Sequence, residues 1–169
     1  KAKALIGIGM VSRNTSDYDA ALASYKEVVK LLPGSTYCED ALAAIESIYQ
    51  TKGTPEKYLE YIEANNLAAD KTDADKELLY YETAEQVYLS GNYVQAASSL
   101  QKYLDTYPYG DHRTNAMFYL AESYAALGNK EKACEWYAQV ASEPDAGSFA
   151  ESSLLHLADL SYSLERDAK

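Results

Sequence analysis

The residues that could do chemistry in this 169-residue chain are few and scattered. His112 and His156 lie far apart, with no HExxH, GxSxG or phosphate-loop pattern near either. His112 reads as an exposed residue opening a helix after Pro108-Tyr109-Gly110. His156, between Leu155 and Leu157, reads as a helix-face residue rather than a ligand or base. Cys38 and Cys134 form no CxxC and no metal-ligand cluster, which argues against a disulfide scaffold and a structural zinc site. Cys134, beside Ala133, reads as a small buried core residue. Gly7-Ile8-Gly9 begins like a dinucleotide fingerprint but lacks the third glycine and the preceding strand, so it reads as helix packing. This inventory argues against an enzyme and implies no cofactor and no metal.

One constellation stands out. Steps of 37 residues from Glu85 reach Glu122 and Asp159, three acids in one row. Four positions earlier the same step gives Tyr81, Phe118 and Leu155, and three positions later it gives Tyr88, Ala125 and Tyr162. Spacings of i, i+4 and i+7 set these rows on one helix face. Carboxylates pair with Lys or Arg and tyrosine rings offer cation–π faces, so such a stripe suits a basic or amphipathic peptide. Left unpaired, the three acids repel one another, and neutralising them should not cost stability. A second reading is open: acids on a helix face are common as solvated surface, and Tyr81 and Phe118 suit core packing between neighbouring helices. The equivalents of Glu85 earlier in the chain are Met10 and Ser47, which confines a groove site of this kind to residues 75–165.

The rows depend on elements that repeat. Ala (26) and Leu (19) far outnumber Val and Ile together (11), a balance that favours helices and leaves too few β-branched residues for a sheet protein. The segments Asp17-Tyr18-x-x-Ala21-x-x-x-Tyr25-x-x-Val28-x-x-x-x-Pro33 and Asn92-Tyr93-x-x-Ala96-x-x-x-Leu100-x-x-Tyr103-x-x-x-x-Pro108 superpose with a shift of 75, which is one unit of 37 and one of 38. A close-packing slot recurs in each unit's first helix at Gly9, Glu46, Ala84, Ala121 and Ala158. The second helix has its slot at Ala21, Tyr58, Ala96 and Ala133. Small residues there let two antiparallel helices approach closely. Glu46 and Tyr58 make the second unit degenerate, and Thr54-Pro55 supplies it an N-cap and a first-turn proline. The periodicity predicts nine helices, at about 2–14, 17–31, 38–51, 55–65, 75–90, 93–106, 112–127, 130–142 and 147–164. The units fall at about 2–38, 39–76, 77–113, 114–150 and 151–165 of a single array over 1–169, with a joint in the polar stretch 66–75.

The best unit reads Met117-Phe118-Tyr119-Leu120-Ala121-Glu122-Ser123-Tyr124, then Leu127-Gly128-Asn129, then Ala133, Tyr137 and Val140. It resembles the tetratricopeptide repeat, with Met117 in the Trp slot, Leu120 and Ala121 in the Leu-Gly slots, Tyr124 in the Tyr slot, and Ala133 and Tyr137 in the second helix. The resemblance implies an all-α, right-handed α-solenoid of four helix pairs plus a final unpaired helix, whose first helices line a concave groove. Units of 37 or 38 residues resemble those of bacterial cell-envelope proteins, such as outer-membrane-protein assembly lipoproteins and Tol-Pal-associated periplasmic proteins. From that resemblance alone follows an expectation of a periplasmic or outer-membrane-associated location. The chaperone-binding subset of the family grips a carboxylate with cations on this face, and acids there would repel such a ligand.

The implied function is a non-enzymatic scaffold that binds protein or peptide segments in its groove, through Tyr81, Glu85, Tyr88, Phe118, Glu122, Leu155, Asp159 and Tyr162. The alternative is a structural spacer or self-association segment of a larger multi-repeat protein. Fifteen basic against 26 acidic residues give a net charge of −11, which speaks against nucleic acid and favours a basic partner. No run is long and apolar enough for membrane insertion. A start at Lys1 reads as a piece of a longer protein. The last helix carries Phe149, Leu154, Leu155, Leu157, Leu160, Tyr162 and Leu164, more apolar circumference than one packed face needs. That surplus points to a missing cover, either a further helix or a second copy of the chain.

Overall fold

The computed structural model describes residues 1–167, so the last two positions of the expected 1–169 array lie outside the described residues. Those residues form nine α-helices and no strand: α1 (Ala2–Asn14), α2 (Tyr18–Leu31), α3 (Thr36–Thr51), α4 (Pro55–Ala64), α5 (Asp73–Leu89), α6 (Tyr93–Thr106), α7 (Arg113–Ala126), α8 (Lys130–Ser142) and α9 (Ser148–Asp167). The chain divides into two compact units, Lys1–Asp70 and Lys71–Lys169.

The turns inside the pairs show why the period is so regular. Gly53, Gly91 and Gly128 each hold a left-handed conformation, and Ser16 holds the same conformation at the equivalent position of the first pair. After this residue the chain bonds back across the helix end, as Asn129 N–H does to Tyr124 O (2.9 Å), Thr54 N–H to Tyr49 O (2.9 Å) and Asp17 N–H to Ser12 O (2.8 Å). The next helix then begins on a side-chain cap. Asp17 accepts from Ala20 N–H, Asn92 from Gln95 N–H and Asn129 from Lys132 N–H.

Thr54 departs from the expected N-cap. It occupies the cap position before Pro55, but its side chain makes no capping bond and its buried hydroxyl has no partner. At the ψ of about 60–77° shared by these four caps, the longer Asp and Asn side chains reach the free N–H, and the shorter threonine does not.

In the first unit α1 packs on α2, α2 on α3 and α3 on α4. Gly9 lies against the Tyr25 ring, where a Cβ would come within 2.7 Å of Cζ. Ala21, Ile45 and Ile48 are fully buried and Ile62 nearly so. The degenerate pair replaces a small-on-small crossing with a polar one. Tyr58, buried in α4, hydrogen-bonds Glu46 of α3, and burial first, then the Glu46 charge and that bond, push its hydroxyl pKa well up.

In the second unit the sequential helices α5 to α9 pack in turn, and first helices also meet directly, α5 on α7 and α7 on α9. Ala84, Ala96, Ala121 and Ala133 are fully buried at the expected crossings. Ala158 is not: no described helix follows α9, so this small slot faces outward.

Candidate functional site

The residues expected to line an open groove in the second unit are brought together by the first helices, but mostly in the seams between them. In the α5–α7 seam Tyr81 is 5% exposed. Its hydroxyl donates to Glu85 Oε1 at 2.6 Å and accepts from Asn115 Nδ2 at 3.4 Å, while its ring stacks on His112 at 4.3 Å between centroids. Tyr119 also hydrogen-bonds Glu85, and its ring stacks on Tyr88 at 4.6 Å. Burial first, and the Glu85 carboxylate second, raise the pKa of Tyr81.

The α7–α9 seam is built alike. Glu122 accepts a short hydrogen bond from the Tyr137 hydroxyl, and His156 Nε2 lies 3.5 Å from the same Oε1. The His156 ring stacks on Tyr137 at 5.1 Å, and Phe118 packs on Phe149 at 4.9 Å. Burial and Glu122 together drive the Tyr137 pKa up.

This geometry corrects the expectation of an unpaired acidic row. Glu85 and Glu122 are half-buried acceptors for tyrosine hydroxyls, Glu85 from Tyr81 one turn back on α5 and from Tyr119 of α7, and Glu122 from Tyr137 of α8. Tyr81 is core, and Tyr88 and Phe118 are partly covered. Only the α9 members of the three rows are open. Leu155 is 70% and Tyr162 69% exposed, and Asp159 lies exposed between them. On the same helix Leu154 is 55% exposed, whereas its equivalent Met117 in α7 is fully buried.

Several partners escaped the sequence reading. His112 is the N-cap residue of α7 but is half-buried rather than exposed. Its backbone N–H and Nδ1 lie 3.3 and 3.4 Å from Glu77 Oε1, which also accepts from Tyr103 Oη at 2.7 Å. Burial alone would raise the Glu77 carboxyl, but the bonds from Tyr103 and His112 outweigh it and hold the pKa below its ordinary value. The only advance signal for these clusters was the excess of tyrosine, 17 of 169 residues. Cys38 is buried, and Cys134 is half-buried rather than core. Among the described residues no cluster of His, Cys, Asp and Glu could hold a metal ion, and no helix is long and apolar enough to cross a membrane.

Residues 115–146 match the family model described as tetratricopeptide repeat. No curated protein matches the chain. Among solved structures it is similar to the nearly identical TPR-like repeats of a kinesin light chain-like protein of Podosopora anserina, at 15% identity over 97% of this chain and 87% of that one, with a TM-score of 0.45. It is also similar to the MamA protein, at 20% identity over 99% and 93% of the two chains, with a TM-score of 0.39.

Proposed function

We propose, from the match of residues 115–146 to the tetratricopeptide-repeat family, that the chain is a non-catalytic scaffold whose open surface on α9 holds a segment of a partner protein. Proteins of this family generally mediate protein–protein interactions. The observation that supports the reading is the contrast along one register. Positions that α5 and α7 use to contact the next first helix are left exposed in α9 as Leu155, Asp159 and Tyr162. Leu155 and Tyr162 supply apolar and aromatic area, and Asp159 supplies a negative charge in a chain of net charge −11. An amphipathic segment carrying Lys or Arg beside its apolar residues fits that surface, with burial giving most of the affinity and charge giving orientation and on-rate.

Selection of random peptides displayed on phage, against the full chain, tests this. Enriched peptides should combine basic and large apolar residues and should lose binding to a Leu155→Asp, Tyr162→Ala variant that melts like the parent. Peptides that bind parent and variant equally, or no enrichment, would count for a spacer with no ligand here.

A further inference from the structure

A second candidate site lies in the first unit, on the side of the second helices, and it calls for the opposite charge. Lys26 of α2 is half-buried. Its Nζ donates to Tyr49 Oη at 3.0 Å and sits 5.4 Å from the Tyr49 ring centroid and 4.6 Å from that of Tyr61. An ammonium has three donors, and no carboxylate pairs with Lys26 or, one turn on, with Lys30 among the described residues. Ring faces compensate a partly desolvated ammonium only in part. The two lysines border a hollow of about 430 Å³, together with Val29, Tyr61 and Leu67. Glu27 borders it too, with Oε1 3.9 Å from Lys1 Nζ.

The repeat supplies an internal control. A shift of 75 carries Lys26 to Gln101 and Lys30 to Asp105, and these border a hollow along α6 whose other wall is Tyr124 and Leu127 at the end of α7. There Gln101 Nε2 donates to Asp105 Oδ1 at 3.0 Å, so the two side chains satisfy each other. The fold therefore does not require two cations at these positions, and in the first unit neither lysine pairs with an acid among the described residues.

We propose that the hollow between α2 and α4 binds a carboxylate carried on a small apolar group, presented by a partner polypeptide. Lys26 and Lys30 take the carboxylate, and Val29, Tyr61 and Leu67 take the apolar part. The carboxylate is that of a chain terminus or of an acidic side chain. This site is separate in position and charge from the α9 surface, so either can fail alone.

The methyl-labelled 169-residue chain, followed by NMR at Val29 and Leu67, tests the site with three probes. N-acetyl-leucine offers a terminal carboxylate, N-acetyl-aspartyl-leucinamide a side-chain carboxylate, and N-acetyl-leucinamide none. One or both carboxylate probes should shift these methyls saturably, and which of them does identifies the source. The neutral amide should bind at least about tenfold more weakly, and the difference should shrink as salt rises. Lys26→Met keeps the hydrocarbon stem and should abolish the carboxylate preference. If that variant fails to fold, Lys30→Met and the comparison of probes on the parent still decide. No saturable shift, equal binding of the amide, or carboxylate binding untouched in the folded lysine variants would overturn the proposal.

Discussion

Replacing Glu77 with Gln removes one charge from the point where α5, α6 and the start of α7 meet. Its Oε1 accepts from Tyr103 Oη at 2.7 Å and lies 3.3 Å from the His112 N–H and 3.4 Å from His112 Nδ1, and its side chain is 13% exposed. A hydrogen bond to a charged group contributes about 1.5–3 kcal/mol and a neutral one about 1 kcal/mol. With one strong bond weakened and two long ones loosened, Glu77→Gln should destabilise the second unit by about 1–2 kcal/mol at neutral pH. The pH dependence follows from the direction of the shift. The folded-state carboxyl is held below 4.5, so its contribution is full above that value and is lost as pH falls through the folded pKa. The gap between parent and Glu77→Gln should therefore be widest at neutral pH and close in acid. Trp136, the single tryptophan, packs against the second unit's core and reports urea unfolding there. Equal midpoints at neutral pH, or a gap that persists undiminished in acid, would refute the reasoning.

Three further outcomes follow from the geometry. Gly91 and Gly128 hold φ of +79° and +75° with nothing within 4 Å of an added Cβ, so Gly→Ala at either should cost about 1–2 kcal/mol from backbone strain alone. Ser16, at φ 60°, should gain up to about 1 kcal/mol as Ser16→Gly, and urea midpoints check both directions. Burial and neighbouring carboxylates raise Tyr58, Tyr81, Tyr103 and Tyr137 above 10.0, so the stability they add is present below that pH and is lost as pH rises through the folded values. Loss of helical circular dichroism should then coincide with a step in tyrosinate absorbance, and gradual ionisation with intact helices would contradict this. Glu122→Gln should lower the melting temperature by weakening the acceptor for Tyr137, and an unchanged or raised value would restore the picture of a repelling acid.

Helices and crossings were legible in the sequence because they rest on short-range rules. Apolar period, the small slots Ala84, Ala96, Ala121 and Ala133, and the Gly-Asn pairs at Gly91-Asn92 and Gly128-Asn129 all act within a helix or a single pair. Among the described residues eight of the nine helices begin and end within two residues of their expected bounds, and α9 begins one residue later than expected and ends three residues later. The site was less legible, because a stripe on one helix does not say what the next first helix lays over it. Glu85 and Glu122 read as exposed acids until Tyr81 within the stripe, and Tyr119 and Tyr137 outside it, are seen to bond them. Thr54 shows the same limit on a smaller scale. Its residue type fits a cap, but its reach at the observed ψ does not.

Hydrogen exchange of the full chain, with and without a peptide enriched by the selection above, tests the scaffold reading most directly. Slowed exchange should fall on α9 and the facing part of α7, should vanish with Leu155→Asp, Tyr162→Ala, and should leave Lys1–Asp70 unchanged. Protection spread over the first unit, or none anywhere at saturating peptide, would contradict the assignment of partner binding to α9.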